Sequence, residues 1–314
     1  MASSFDVARV LHPLHANLNH TKTDHADYEK IIKGKQGQVT IKNNIAVKRH
    51  FNENKFQREL KILNALNTKG NVHIVKILKA NILREIHMPH SGTDLYYVLQ
   101  GYGAPMNCFI LRNIFCQILE GLLFMKECGY SHYDIKMENI LLTQNGTVKL
   151  CDFGASKTQE EVITMINGTN IKGSTLVEGT FSYNAPEILL DIGSLDGEKV
   201  DTWALGLLLY QCAFFKNMID LSRVKGQSIY AMYKTYVRDN FFLSRIHRNS
   251  NQDWDDIFLD ASIRPINSKL KKLLRQMLCF VPFLRFGLAQ TLESDFLQGV
   301  KMKNHAMVKE LFFG

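Results

Sequence analysis

Apolar residues change their spacing partway along this chain, and the change indicates the fold class. Short β-prone runs extend from Tyr28 to His50, broken by glycines and an Asn-Asn turn, which is typical of strands. From Asn54 to Asn67 the apolar residues recur with helical spacing. Val72 to Met88 returns to short apolar strands, and after Asp94 the pattern is mostly helical. The sequence therefore predicts an α+β protein, with a small strand-rich part and one long helix before a larger helical part.

A loop-rich block from Ser131 to Pro186 interrupts the helical part and concentrates polar side chains. Its three motifs are His132-Tyr133-Asp134-Ile135-Lys136-Met137-Glu138-Asn139, Asp152-Phe153-Gly154 and Ala185-Pro186-Glu187. An apolar strand, Val148 to Cys151, leads directly into the second motif, so an ordinary surface turn is the less favoured interpretation.

In this order and spacing the three motifs resemble the catalytic loop, the magnesium loop and the substrate-loop anchor of the eukaryotic-type protein kinase family. The resemblance runs from about Tyr28 to Leu297. It implies a bilobal protein-kinase fold, with a small β-rich N-lobe containing one long helix and a larger, mainly α-helical C-lobe. The implied organisation is an N-terminal extension (1–27), the N-lobe (28–90), the C-lobe (91–297) and a C-terminal tail (298–314).

The same resemblance implies that the chain transfers the γ-phosphate of ATP to a protein serine or threonine hydroxyl. Asp134 would accept the hydroxyl proton and Lys136 would contact the γ-phosphate. Asn139 and Asp152 would hold Mg²⁺, or Mn²⁺ in its place. Thr180 would bond to Asp134 and Lys136. A lysine two residues after the aspartate resembles the Ser/Thr-specific branch of the family.

Upstream, Ala46-Val47-Lys48 looks like the third-strand lysine motif of these kinases. Lys48 would hold the α- and β-phosphates of ATP, and its implied partner is Glu59 on the following helix. A buried lysine without a partner is unfavourable, so the ion pair is also a structural requirement.

The glycine-rich loop departs from the family pattern. Gly34 and Gly37 match its second and third glycines, but Ile32 stands in the place of the first. Further nucleotide contacts implied by the resemblance are Ile31 or Ile32 with Val39 and Ala46 around the adenine, and Asp94 at the ribose hydroxyls.

A second departure is Tyr133, where most regulated kinases have an arginine that pairs with a phosphate on the activation loop. Its replacement predicts a kinase that does not need loop phosphorylation. The alternative is autophosphorylation of the loop hydroxyls, which are Thr164, Thr169, Ser174 and Thr175.

Structural roles follow from the same resemblance. Asp201 would brace the backbone of the catalytic loop, and Arg285 would pair with Glu187. The residues expected to stack as a spine between the lobes are Leu63, His132 and Phe153.

The net charge of +8 is unevenly placed. Residues 1–90 carry 15 Lys and Arg against 7 Asp and Glu, whereas the remaining residues carry 23 of each. A solvated lysine-rich surface is favoured over a nucleic-acid-binding face, because no aromatic platform or DNA-binding motif accompanies it. Glu138 next to Asn139 has two interpretations: it selects a basic residue before the target hydroxyl, or it is an ordinary solvent-exposed glutamate. Protein substrates are expected, and basic proteins are one class of them.

The apolar runs, the N-terminus and the cysteines indicate the cellular compartment. The longest strongly apolar run, Leu205 to Phe215, is too short to cross a bilayer, and no secretory signal is evident at the N-terminus. The six cysteines are scattered without a C-x-x-C pair, which indicates reduced thiols. We expect an intracellular protein, cytoplasmic or nuclear, with no membrane partner.

Two rival functions remain open. Ile32 and Tyr133 motivate a pseudokinase scaffold, and a kinase-fold enzyme acting on a small alcohol or aminoglycoside is the second. Against the second stand Gly179-Thr180 and Ala185-Pro186-Glu187, which resemble segments that seat polypeptides. The altered motifs and the short tail after Arg285 are similar to divergent viral kinases, in particular the baculovirus protein kinase one family, which also implies a basic protein substrate.

Overall fold

The computed structural model describes residues 30–33, 37–163, 181–190, 195–215 and 267–298. Those within residues 30–103 and 137–156 form one compact unit, and those within residues 104–136 and 157–298 form a second. Several predictions concern residues outside the described ranges: the N-terminal extension, Gly34, Thr164, Thr169, Ser174, Thr175, Thr180 and the tail from residue 299.

The first unit contains a five-stranded antiparallel sheet in the order β1-β2-β3-β5-β4. Its strands are β1 (Lys30–Lys33), β2 (Gly37–Lys42), β3 (Ile45–His50), β4 (Lys79–Ala80) and β5 (Glu85–Pro89). Asn43 and Asn44 close the β2–β3 hairpin with φ of 50° and 62°. Asparagine tolerates this left-handed backbone, which two-residue hairpins require.

One long helix, α1 (Glu53–Lys69), follows β3. The Asn52 side chain caps its start by accepting from the Lys55 amide, and Gly70 ends it with φ 72°. Its buried positions are Phe56, Glu59, Ile62, Leu63 and Leu66. This spacing of three and four residues makes one buried face, and Glu59 is the charged residue on it.

A second sheet of the first unit has the order β6-β8-β9. Its strands are β6 (Thr93–Asp94), β8 (Ile140–Leu142) and β9 (Val148–Leu150), and helix α2 (Leu95–Tyr102) follows β6 directly. The segment before β4 runs beside β9, since Ile74 bridges to Leu150. His73 is held there too, its Nδ1 lying 2.9 Å from the Val148 carbonyl oxygen.

The second unit is mainly helical. Its helices are α3 (Cys108–Glu127), α4 (Pro186–Leu190), α5 (Gly197–Phe214), α6 (Ser268–Met277) and α7 (Leu288–Leu292), and its short strands β7 (Tyr130–Ser131) and β10 (Lys157–Thr158) pair with each other. Helix α5 is buried nearly all round, which is typical of a central core helix. Helix α3 is apolar and long enough to cross a membrane, but 67% of its most apolar stretch is buried inside the protein.

The predicted succession of strands, one long helix, more strands and then mainly helices is confirmed in the described residues. The α+β class is therefore correct.

Candidate functional site

Lys48 lies at the centre of a charged cluster in the first unit. Its Nζ donates to Glu59 Oε2 at 2.6 Å and Oε1 at 2.9 Å, and to Asp152 Oδ1 at 2.8 Å. The Glu59 side chain is 2% exposed, whereas that of Asp152 is 40% exposed. The structure thus contains the predicted Lys48–Glu59 pair and adds Asp152 to it, with one buried and one solvent-accessible carboxylate.

The charge state of Lys48 follows from this pairing. Burial alone lowers the pKa of a lysine, but here the charges and hydrogen bonds of Glu59 and Asp152 outweigh it and raise the pKa of Lys48 well above its ordinary value. Lys48 is therefore an ammonium at any physiological pH.

Glu59 reaches Lys48 because of its place on helix α1. It occupies the buried stripe between Phe56 and Leu63, so its carboxylate points to where the helix packs in the unit. The preceding residue, Arg58, donates from Nε and Nη2 to the Ser156 carbonyl oxygen at 3.2 and 2.9 Å. The helix is thereby tied to the segment that follows Asp152.

Asp152 and Asn139 are the predicted metal ligands, and both belong to the first unit. Asp152 has φ 62°, an uncommon conformation for a non-glycine residue. The Cys151 amide donates to the Asn139 carbonyl oxygen at 3.0 Å, which links the two loops. In the described residues no group of three or more His, Cys, Asp or Glu is assembled as a metal site. One carboxylate and one amide fit Mg²⁺ that takes its other ligands from phosphates and water.

The strand register decides which residues share the face of Lys48. Lys48 pairs with Val39, and Val39 pairs with Ile32; directly paired residues point to the same face. Ile31 pairs with Thr40 and so lies on the opposite face. Of the two residues that the sequence left open for the adenine, the register favours Ile32 over Ile31.

Ala46 shares that face, since alternate residues of β3 point the same way. Gly37 begins β2 opposite His50, and a Cβ there would collide with the Arg49 carbonyl oxygen. The close approach of β2 to β3 therefore requires glycine at position 37, whatever its role towards nucleotide.

Asp94 is the N-cap of helix α2, where its Oδ1 accepts from the Tyr97 amide at 3.1 Å. One carboxylate oxygen is used in capping. The ribose contact remains a prediction.

Asp134 and Lys136 are brought together in the second unit. Lys136 Nζ donates to Asp134 Oδ2 at 2.7 Å, and their side chains are 19% and 11% exposed. The Asp134 amide lies 3.3 Å from His132 Nδ1. A carboxylate held by an ammonium in a partly exposed loop can accept a proton from a hydroxyl.

Asp201 braces this loop from helix α5. Its two carboxylate oxygens accept from the backbone amides of His132 and Tyr133 at 2.7 and 2.8 Å, as predicted. Burial raises the pKa of Asp201 to about 7, against the opposing effect of those two amide donors.

Tyr133 has φ 63°, is buried, and its hydroxyl makes no hydrogen bond among the described residues. Burial, with the negative charges of Asp201 and Asp196, raises the pKa of the phenol, so Tyr133 is neutral. The Lys157 ammonium lies 5.7 Å from the centre of its ring, within the range of a cation–π contact.

Arg285 and Glu187 form a buried, two-point ion pair in the second unit. Their N–O distances are 2.7 and 2.9 Å and the side chains are 0% and 1% exposed. The guanidinium also lies 5.0 Å above the ring of Trp203. This predicted pair is present in the structure.

Sequence reasoning missed His50, which is two residues after Lys48 and therefore on the same face of β3. Its Nε2 lies 3.2 Å from Glu59 Oε2, the oxygen that also binds Lys48. Strand alternation is the signal that would have found it. The sequence analysis also missed Arg58. Its position next to Glu59 in the sequence is the feature that could have indicated a role near the site.

Comparison with known proteins gives a consistent result. The model of the protein kinase domain family matches residues 27–297. The serine/threonine-protein kinase cds1 of Schizosaccharomyces pombe is 36% identical over 162 residues, covering 49% of this chain and 33% of that protein. The serine/threonine-protein kinase STK11 of Gallus gallus is 24% identical over 263 residues, covering 81% and 51%. The mitogen-activated protein kinase HOG2 of Zygosaccharomyces rouxii is 28% identical over 255 residues, covering 76% and 56%.

These alignments span between a third and just over half of the relatives' own lengths. The similarity therefore concerns a domain of those proteins.

Proposed function

The chain belongs to the protein kinase domain family, and from that premise we propose that it transfers the γ-phosphoryl group of ATP to serine or threonine hydroxyls of proteins. The observation that carries the proposal is the Lys48 ammonium held between Glu59 and Asp152 at 2.6 and 2.8 Å. It places a permanent positive charge beside a solvent-accessible carboxylate, which is the combination that a metal-bound polyphosphate needs.

Residues of the first unit would bind the nucleotide. Lys48 attracts the α- and β-phosphates, while Glu59, which is buried, keeps the ammonium oriented. Asp152 and Asn139 would hold Mg²⁺ through hard oxygen atoms. The ion, when bound, neutralises charge that develops on the transferring phosphoryl group. Ile32, Val39 and Ala46 share the sheet face of Lys48 and supply apolar contacts for the adenine.

Residues of the second unit would act on the acceptor. Asp134 takes the proton of the attacking hydroxyl, a contribution of about 10²- to 10⁴-fold in typical enzymes. Lys136, 2.7 Å from Asp134, keeps that carboxylate oriented and would contact the γ-phosphate. Asp201 holds the loop backbone through two amide hydrogen bonds, so that Asp134 does not have to be ordered when the acceptor binds.

Independence from activation-loop phosphorylation is a finer part of the proposal. It is supported by Tyr133, whose neutral ring faces Lys157 and offers no positive charge to a phosphate. We expect the phosphatase-treated protein to transfer phosphate at its untreated rate. A rate that falls on dephosphorylation and returns on autophosphorylation would contradict this.

The proposal also extends to the preferred substrate, the origin of the protein and its cellular compartment. Glu138 is exposed beside the buried Asn139 and would select a basic residue before the target hydroxyl. Gln211 cannot add a negative charge, and its Oε1 already accepts from the Tyr183 hydroxyl at 2.6 Å.

We propose that the substrates of this chain are basic proteins and that it acts inside the cell. The altered motif residues Ile32 and Tyr133 support the proposal that it is a divergent viral kinase of the baculovirus type.

The test is incorporation of labelled phosphate from ATP into basic, acidic and generic protein acceptors, beside small alcohols and aminoglycosides, with Mg²⁺ and Mn²⁺ compared. The proposal predicts labelling of protein serine or threonine by the wild type, and labelling about 10²- to 10⁴-fold slower by Asp134→Asn. Nucleotide binding without any transfer would instead support a pseudokinase scaffold. Labelling of the small alcohols alone would assign a small-molecule kinase.

A further inference from the structure

His50 is a buried histidine at the end of strand β3. It is 3% exposed, and its Nε2 lies 3.2 Å from Glu59 Oε2. Lys48 donates to the same oxygen at 2.6 Å. One carboxylate oxygen of the proposed nucleotide site therefore has two nitrogen neighbours, one permanently charged and one that titrates.

The contact between His50 and Glu59 is close but not aligned. Neither imidazole nitrogen makes a hydrogen bond among the described residues, although burial of an unpaired polar group is unfavourable. The ring packs on Phe56 at 5.9 Å between centroids, and the His50 amide donates to the Arg84 carbonyl oxygen. The imidazole is thus held beside Glu59, with its Nε2 within hydrogen-bonding distance of the carboxylate.

The charges around His50 determine what its protonation would do. Glu59 faces it from helix α1, and Lys48 lies on its own strand. Asp152 is joined to the cluster through Lys48. Strand β2 presents Gly37, which has no side chain, and the Arg84 guanidinium is turned to the Phe51 carbonyl oxygen. With a neutral imidazole, Lys48, Glu59 and Asp152 together carry one negative charge, and an imidazolium would add a second positive charge next to Lys48.

We propose that His50 is a positioning residue that shares Glu59 with Lys48. The neutral imidazole donates its Nε2 proton to Glu59 Oε2 and steadies the carboxylate when Lys48 turns to the phosphates. The imidazolium competes with Lys48 for that oxygen and repels the ammonium, which displaces Lys48 and weakens nucleotide binding. This inference rests on the proposed function and deepens it, since it makes nucleotide affinity depend on pH through one residue.

The first measurement is the affinity of the whole chain for a non-hydrolysable ATP analogue with Mg²⁺ at a series of pH values. Proton and nucleotide are linked ligands, so we expect the wild type to lose about fivefold more affinity than His50→Gln between about pH 8 and about pH 6. Glutamine retains an N–H donor but cannot titrate. The phosphates of the analogue also titrate in this pH range, but they do so equally with both proteins, so the comparison of wild type with His50→Gln removes their effect.

The matched control is His87→Gln. His87 is also a histidine of this sheet beside a carboxylate, with Nε2 3.6 Å from Glu85 Oε2. It pairs with Val47 and therefore lies on the face opposite Lys48. Its substitution should leave the wild-type pH dependence in place.

The second measurement needs no nucleotide and separates this inference from the proposed function. Thermal unfolding of wild type, His50→Gln, Glu59→Gln and the double variant forms a cycle. We expect the double variant to be shifted by less than the sum of the single shifts. Additive shifts, or a pH dependence that survives in His50→Gln, would overturn the proposal. If both results hold but the wild type labels no protein, the proposed function alone fails.

Discussion

Three buried carboxylates show that a charge in the interior can be stabilised by different partners. Among the described residues the buried acids are Glu59, Asp201 and Glu187. Glu59 is paired with an ammonium, Glu187 with a guanidinium and Asp201 with two backbone amides. Each arrangement satisfies a charge that would otherwise be unfavourable in the interior, and each predicts a different response to substitution.

Glu187→Gln removes one charge of the buried pair and leaves Arg285, 0% exposed, without its counter-ion. Breaking such a pair costs about 3–5 kcal/mol. We expect a loss of that size in urea unfolding. The control is Lys272→Ala, whose ion pair with Asp295 is 65% and 62% exposed and should contribute less than about 1 kcal/mol. Equal losses in the two variants would contradict this account.

Asp201→Asn tests the brace of the catalytic loop. Because the pKa of Asp201 is raised to about 7, the folded state holds its proton more tightly than the unfolded state does. This tighter proton binding adds to the free energy of unfolding. The added stability is complete below about pH 4 and is lost as the pH rises through about 7. Asparagine has no such titration. The difference in unfolding free energy between wild type and Asp201→Asn should therefore shrink from about pH 5 to about pH 8, as thermal unfolding at each pH would report; a constant difference would refute it.

At the scale of elements, helix α1 carries Glu59 and also ties down the segment after Asp152 through Arg58. Arg58→Ala removes two hydrogen bonds to the Ser156 carbonyl oxygen, and charged hydrogen bonds contribute about 1.5–3 kcal/mol each. We expect faster amide hydrogen exchange across residues 153–156.

Gln57→Ala is the matched control for this element, because the Gln57 side chain is exposed and, within the described residues, bonds only to Glu53 on the same helix. It should leave exchange at residues 153–156 as in the wild type. If both variants accelerated exchange equally, the tie through Arg58 would be disproved.

Elements were the most predictable part of this molecule. Helical spacing located α1 within two residues at each end, and the Lys48–Glu59 pair followed from a family motif. The register of β1 against β2 could not be predicted from the sequence. Only the structure, in which Ile32 pairs with Val39, distinguishes Ile32 from Ile31. Alternation along β3 places His50 on the face of Lys48, but its contact with Glu59 also depends on how α1 packs on β3, which propensity and pattern do not encode.

At the scale of the whole molecule, the proposed reaction divides between the units. The first unit contains the residues proposed to bind nucleotide, which are Lys48, Glu59, Asn139 and Asp152. The second unit contains the residues proposed to act on the acceptor, which are Asp134, Lys136 and Asp201. This division predicts that substitutions in the two units damage different steps, since nucleotide binding and acceptor activation are separate events.

The most direct test measures Mg²⁺–nucleotide affinity and single-turnover phosphate transfer in wild type, Lys48→Met and Asp134→Asn. We expect Lys48→Met to lose affinity and transfer together. Asp134→Asn should bind nucleotide nearly as the wild type does but transfer phosphate about 10²- to 10⁴-fold more slowly. Wild-type transfer by Asp134→Asn, or unchanged nucleotide affinity in Lys48→Met, would contradict the account.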